Sequence, residues 1–237
     1  MRSSLRPVGL LALPLSVMLL AVSLAAATPS SSKQALQPLQ ELIGQWKGTG
    51  TLLRGTKEER DKGGWVESIV WQWQFKGEEV WLRADLTQGK YFTRLEIRPG
   101  TEADTYELKT WTVDKKQHTY LGQRTERRLT FDREEDGLTH RLTLSLLHST
   151  RFGYRYETRK KDTRTFSAVY QSWSTKQGVP FAIVDQGPEC IVTGGLASQR
   201  VSYKGKTYYV CCSGCRDAFY DDPVKYIDEY EKAQKKK

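Results

Sequence analysis

Between residues 46 and 174 apolar and polar side chains alternate with a period of two, run after run, and that rhythm admits few folds. Val80, Leu82, Ala84 and Leu86 keep the period with charged residues among them. Tyr91, Thr93, Leu95 and Ile97 repeat it, and so do Leu142, Leu144, Leu146 and His148. Over residues 65–75 the same spacing carries Ile69, Trp71, Trp73 and Phe75. About ten such runs follow one another, broken by Gly, Asp or charged turns at short intervals, which is the pattern of consecutive antiparallel hairpins. A sheet built that way has two raw edges unless it closes on itself. The expected fold is therefore mainly β, an antiparallel barrel of about ten strands, with an open β-sandwich as the alternative.

The run-in to the first strand supports closure. Residues 34–43 read as a short helix presenting Leu36, Leu39, Leu42 and Ile43, and it leads into Gly44-Gln45-Trp46. That tripeptide resembles the G-x-W opening of the lipocalin-like (calycin) barrels. A barrel of this size holds one small ligand or is filled by its own side chains. Trp71, Trp73, Trp81, Trp111 and Tyr170 are the candidates to line a pocket for a small hydrophobic ligand. Aromatics are also ordinary strand residues, so packing is the simpler reading. His118, His140 and His148 fall in the same region. An axial haem ligand would come from among them, but a strand histidine such as His148 is ordinarily packed or solvated, and no haem is expected.

The chemistry is concentrated elsewhere. All four cysteines, Cys190, Cys211, Cys212 and Cys215, lie in the last fifth of the chain, as one thiol and then a close group twenty residues on. That is how a small knuckle gathers soft ligands around one ion. Cys211 ends a strand and Cys215 begins a helix, and Gly214 lets the chain bend between them. Cys190 returns after a hairpin whose turns are Gly194-Gly195 and Lys204-Gly205. Asp222-Pro223 reads as a cap followed by proline in the first helical turn, opening a second helix over residues 224–233. No histidine lies nearby, so a fourth ligand is Cys212, a carboxylate such as Glu189 or Asp217, water, or nothing. Three thiolates suit Cu(I), and four suit Zn(II). Two other readings stay open: disulfide pairing in an oxidising compartment, and redox exchange at Cys212-Ser213-Gly214-Cys215.

The run from Tyr203 to Cys215 (YKGKTYYVCCSGC), followed by Phe219, Asp222, Pro223 and Tyr226, resembles the YHS/TRASH-like metal-binding modules over roughly residues 185–232. Cys190, Cys211 and Cys215 match that family's three cysteines, and Cys212 is additional. The resemblance implies a treble-clef or zinc-ribbon-like knuckle that binds soft heavy-metal ions in sensing, trafficking or resistance.

The first 27 residues set an expected address. Arg2 and Arg6 precede an apolar stretch over residues 8–24, and Ala25-Ala26-Ala27 offers a cleavage site, the pattern of an export signal. Pro14 interrupts the apolar stretch, so cleavage is expected in place of membrane anchoring, leaving a periplasmic or extracellular protein with no stable membrane insertion. Loss of this leader lowers the formal charge from +9 to +7, because it carries two arginines and no acid. The remaining charges are interspersed with acids and form no recognition stripe, so nucleic acid is not an expected partner. No G-x-S-x-G, H-E-x-x-H or phosphate-cradling loop is present, and an enzyme is not expected. The expected organisation is a leader at 1–27, a linker at 28–37, the barrel at 38–177 and the cysteine module at 178–237. The expected role is export and binding of a soft metal ion. The competing role is a small-molecule carrier whose cysteine module is a disulfide-stapled appendage.

Overall fold

The alternating runs become ten strands, and the sheet closes. A computed structural model describes residues 32–178 and 187–235. The leader, its cleavage site and residues 179–186 between the two parts lie outside the described residues. The strands are β1 (Gly44–Leu52), β2 (Trp65–Lys76), β3 (Glu79–Thr87), β4 (Phe92–Pro99), β5 (Thr105–Thr112), β6 (Gln117–Thr125), β7 (Arg128–Glu135), β8 (Leu138–His148), β9 (Arg151–Lys160) and β10 (Ser167–Lys176). Each pairs antiparallel with the next, and β1 joins β10 in register from Trp46↔Lys176 to Leu52↔Tyr170. The open sandwich is excluded by that last pairing. No helix among the described residues is long and apolar enough to cross a membrane.

Period two decides what is inside. Trp46, Trp71, Trp73, Leu82, Ile97, Leu108, Phe131 and Leu144 are all essentially inaccessible to solvent. The five candidate lining aromatics divide on this ground, and packing, the simpler reading, describes them. Trp71, Trp73 and Tyr170 are buried in the packed interior, whereas Trp81 and Trp111 have the opposite phase. Trp81 precedes the inward Leu82 and therefore faces out, where the Arg98 guanidinium stacks on it at 4.3 Å. Arg94 covers Trp111 in the same manner at 5.6 Å.

One end of the barrel is closed by the N-terminal helical segment. It starts at Ser32 and divides into α1 (Ser32–Leu36) and a 3-10 helix over Gln37–Leu42. Pro38 forces the division, since it lacks the N–H that a continuous α-helix would use. Leu36, Leu39 and Leu42 are fully buried against the barrel, as their spacing required. Gly44 then turns the chain with φ 129°, so that Gly44-Gln45-Trp46 is already strand. The β1–β2 connection holds a helix that the alternation did not reveal, α2 (Lys57–Lys62). Its signal was present as Thr56-x-x-Glu59, a reciprocal cap in which each side chain accepts from the other residue's backbone N–H.

Deep in the interior lies a carboxylate, Glu67, with no exposed surface. It accepts from Tyr154 Oη (2.9 Å), Ser172 Oγ (2.5 Å) and Trp65 Nε1 (3.1 Å). Tyr154 and Trp65 both donate to the same oxygen, Oε2, and Ser172 to the other. A Glu67→Gln amide can keep its carbonyl on the Oε2 side, and the Ser172 hydroxyl can rotate to accept from the new NH2. Glu67→Leu instead strands two buried donors, Tyr154 and Ser172, at about 1–3 kcal/mol each, and the half-buried Trp65 N–H, against which the relief of a buried carboxylate is set. Denaturant unfolding is expected to show a loss of about 1 kcal/mol or less for Gln and about 2–4 kcal/mol for Leu. A neutral or stabilising Leu variant would show that burial of the charge costs more than its three hydrogen bonds return.

Candidate metal centre

Beyond the barrel the chain builds a small hairpin and two helices. Strands β11 (Gln199–Tyr203) and β12 (Lys206–Val210) pair antiparallel. They turn at Lys204-Gly205, where both residues have positive φ (47° and 77°), the geometry that matches strand twist in a two-residue turn. Helices α3 (Ser213–Asp221) and α4 (Pro223–Gln234) follow. Asp222 caps α4 by accepting from Lys225 N at 3.1 Å, with Pro223 in the first helical turn, as the sequence required. Phe219 is fully buried and packs against Tyr203 and Tyr208 of the hairpin.

Three local devices converge on one point. Cys190 sits at the head of a tight loop in which its N–H donates to Gly195 O and its carbonyl accepts from Gly194 N–H, each at 2.7 Å. Gly194 closes that loop with φ 74°. Cys211 follows directly on β12, and the Ser198 hydroxyl holds its carbonyl at 3.0 Å. Cys215 lies in the first turn of α3. The Sγ atoms of Cys190, Cys211 and Cys215 all fall within 4.8 Å of one another, and all three residues are buried. Among the described residues no other set of ligating side chains converges in this way.

The spacing matches metal coordination. Thiolates bound at about 2.3 Å lie roughly 3.8–4.0 Å apart in tetrahedral or trigonal geometry. Cys211 Sγ and Cys215 Sγ are 3.5 Å apart, too far for a disulfide and near that separation, and all four cysteines are free. The hydrogen bonding is shared unequally. Bonds from Cys211 and then Cys215 hold Cys190 and Cys212 below the usual thiol range. The bond to Cys190 raises Cys211, and burial pushes Cys215 well up. Thr193, a residue that sequence reasoning missed, places its hydroxyl 3.6 Å from Cys211 Sγ and 4.0 Å from Cys215 Sγ.

The remaining candidates stand apart from this group. Cys212 is buried beside Cys211 and Cys215 but outside the set of three, and the Trp73 backbone also draws on it. Glu189 accepts from Gln234 at 3.1 Å and Asp217 pairs with Arg216 at 2.9 Å, so neither carboxylate joins the sulfurs. His118 and His140 are on barrel strands β6 and β8, where burial lowers the affinity of each for a proton, and His148 ends β8.

Residues 195–230 match the family model of the YHS domain. The match takes in Cys211, Cys212 and Cys215 and begins five residues after Cys190, so the tight loop that supplies the third sulfur lies just outside it. No curated protein matches the chain. Among solved structures, the S-type phycobiliprotein lyase CPES from Guillardia theta is 6% identical, with 63% of this chain and 94% of that one covered and a TM-score of 0.38. A redesigned β-barrel is 11% identical over 64% of this chain and 99% of its own, with a TM-score of 0.27. A second redesigned barrel, mFAP1 bound to DFHBI, is 14% identical over 62% and 100%, with a TM-score of 0.21. Likenesses this remote say nothing of function.

The YHS domain is docked tightly on the barrel. Gly214 lies so close to β2 that a Cβ there would stand 1.8 Å from the Trp73 carbonyl oxygen, which explains the glycine better than the turn alone. From the other side α1 and the 3-10 helix grip the cysteine loop. Lys33 Nζ donates to Val192 O at 2.9 Å, and Gln37 Nε2 donates to Thr193 O at 2.6 Å. Gln40 Oε1 meanwhile accepts from Trp73 Nε1 at 2.9 Å.

Proposed function

We propose that this protein binds a soft metal ion as cargo, Cu(I) or Zn(II), through Cys190, Cys211 and Cys215. One observation carries the reading: three buried free thiols on three separate elements, with sulfurs within 4.8 Å of one another and no carboxylate or imidazole among them. An all-sulfur, water-poor site selects thiophilic ions over magnesium or calcium, which take oxygen ligands. Three sulfurs suffice for Cu(I), while zinc would recruit Cys212 or an outside donor as its fourth ligand. The role is sequestration or trafficking in the periplasm or outside the cell, which rests on the leader at residues 1–27.

Elemental analysis of protein purified from its native compartment, with thiols counted before and after chelation, tests this. The expected result is ~1 soft-metal ion per chain and cysteines that react only once the ion is removed. Metal-free protein with its cysteines paired would favour the disulfide-stapled carrier instead.

A further inference from the structure

Two of the four cysteines reach a common opening. Cys190 and Cys215 have no exposed surface, while Cys211 and Cys212 line a crevice of about 570 Å³ between the barrel rim and the YHS domain. Gln45, Gln72, Gln177 and Lys176 share that crevice. Lys176 ends β10 with inward phase, opposite Trp46. Its ammonium donates to the Glu41 carbonyl at 3.0 Å and sits 5.1 Å above the Trp46 ring. The Glu41 carboxylate is engaged by Arg127 at 2.5 Å, and Lys176 forms no ion pair among the described residues. Lys176 and Cys211 line this crevice together. A half-buried ammonium with donors to spare thus stands in the same cleft as two soft sulfurs.

We propose that this crevice is the exchange port for the cargo ion and that it accepts a small thiol bearing a carboxylate, with the carboxylate on Lys176 and the sulfur toward Cys211. The proposal rests on the metal-binding reading. Exchange is a ligand substitution. As the ion is released, a bond from ion to cysteine sulfur breaks while a bond to the incoming sulfur forms, and the incoming thiol's proton passes to the cysteine. Loading runs the same steps in reverse, and the ion keeps its oxidation state throughout. A fixed cation beside the port favours anionic carriers over neutral ones of the same size.

The test uses the full chain loaded with Cu(I) and two thiols of matched size, mercaptoacetate and 2-mercaptoethanol, compared at equal thiolate concentration. Stopped-flow release is expected to be about tenfold faster with mercaptoacetate, and the preference should shrink as salt rises. Lys176→Met is expected to abolish the preference and Lys176→Arg to retain it, while Cu(I) affinity measured by chelator competition changes by less than about threefold in both. Equal rates with the two thiols in the unsubstituted protein would overturn the port, as would a preference that survives in Lys176→Met. Should Lys176→Met fail to fold, the salt dependence in the unsubstituted protein decides. A chain that binds no Cu(I) in the initial titration overturns the metal-binding reading, and the port falls with it.

Discussion

Replacing Cys190, Cys211 or Cys215 by serine is expected to lower the affinity for a soft ion by on the order of 100-fold or more in each case, and Cys212→Ser by much less. The magnitude follows from dividing the free energy of a thiolate zinc site, about 10–16 kcal/mol, over its few ligands, which leaves about 3 kcal/mol for each. The ranking follows from geometry, since Cys212 lies outside the set whose sulfurs fall within 4.8 Å of one another. Serine is close in size, so the loss reports the missing sulfur more than a cavity. Competition against a chromophoric chelator measures all four variants on one scale. If Cys212→Ser proves the most damaging, the ligands have been assigned wrongly.

Trp46→Ala is expected to cost the barrel about 3–5 kcal/mol, the usual range for emptying a fully buried aromatic site. Trp46 joins three elements. Its ring meets Phe152 of β9 edge-on at 4.8 Å, its Nε1 donates to Leu42 O at 2.7 Å, and Lys176 rests above it. The Leu42 carbonyl belongs to the 3-10 helix that closes the barrel end, so the indole ties β1 to its own lid. Trp46→Phe separates the contributions. It keeps most of the apolar contact and loses the hydrogen bond, worth about 1 kcal/mol plus the orphaned carbonyl. Thermal or urea unfolding of both variants checks the ratio, and a Phe variant as damaged as Ala would place the stability in the hydrogen bond.

The barrel was legible because one face of every strand is buried, which writes period two into the sequence: Leu82, Ala84 and Leu86 could be assigned inward from their spacing alone. The same rule turns Trp81 outward, since it directly precedes the inward Leu82. The cysteine positions were legible from spacing, and the hairpin turn from Lys204-Gly205. What the sequence concealed was contact between distant parts. Nothing in residues 33–40 announces that Lys33 and Gln37 hold the carbonyls of Val192 and Thr193, because such pairings have no local period. Thr193 escaped for a similar reason, since a threonine three residues beyond a cysteine acquires meaning only when the loop folds back.

The unequal lengths of β1 and β2 have a consequence for how the molecule behaves in solution. β1 pairs with β2 only as far as Gly44↔Trp71, whereas β2 continues to Lys76 with β3 alone beside it. The strand therefore projects past its neighbour, and the start of α3 covers the overhang where Gly214 meets the Trp73 carbonyl. An uncovered strand of this kind, carrying Trp73 and Phe75, is a template on which a second chain can add. The YHS domain thus covers an edge that would otherwise be open to strand addition. Conditions that loosen it, whether loss of cargo, oxidation of the cysteines or truncation after Gln177, would expose that edge to a second chain. Precipitation would then precede any unfolding of the barrel itself.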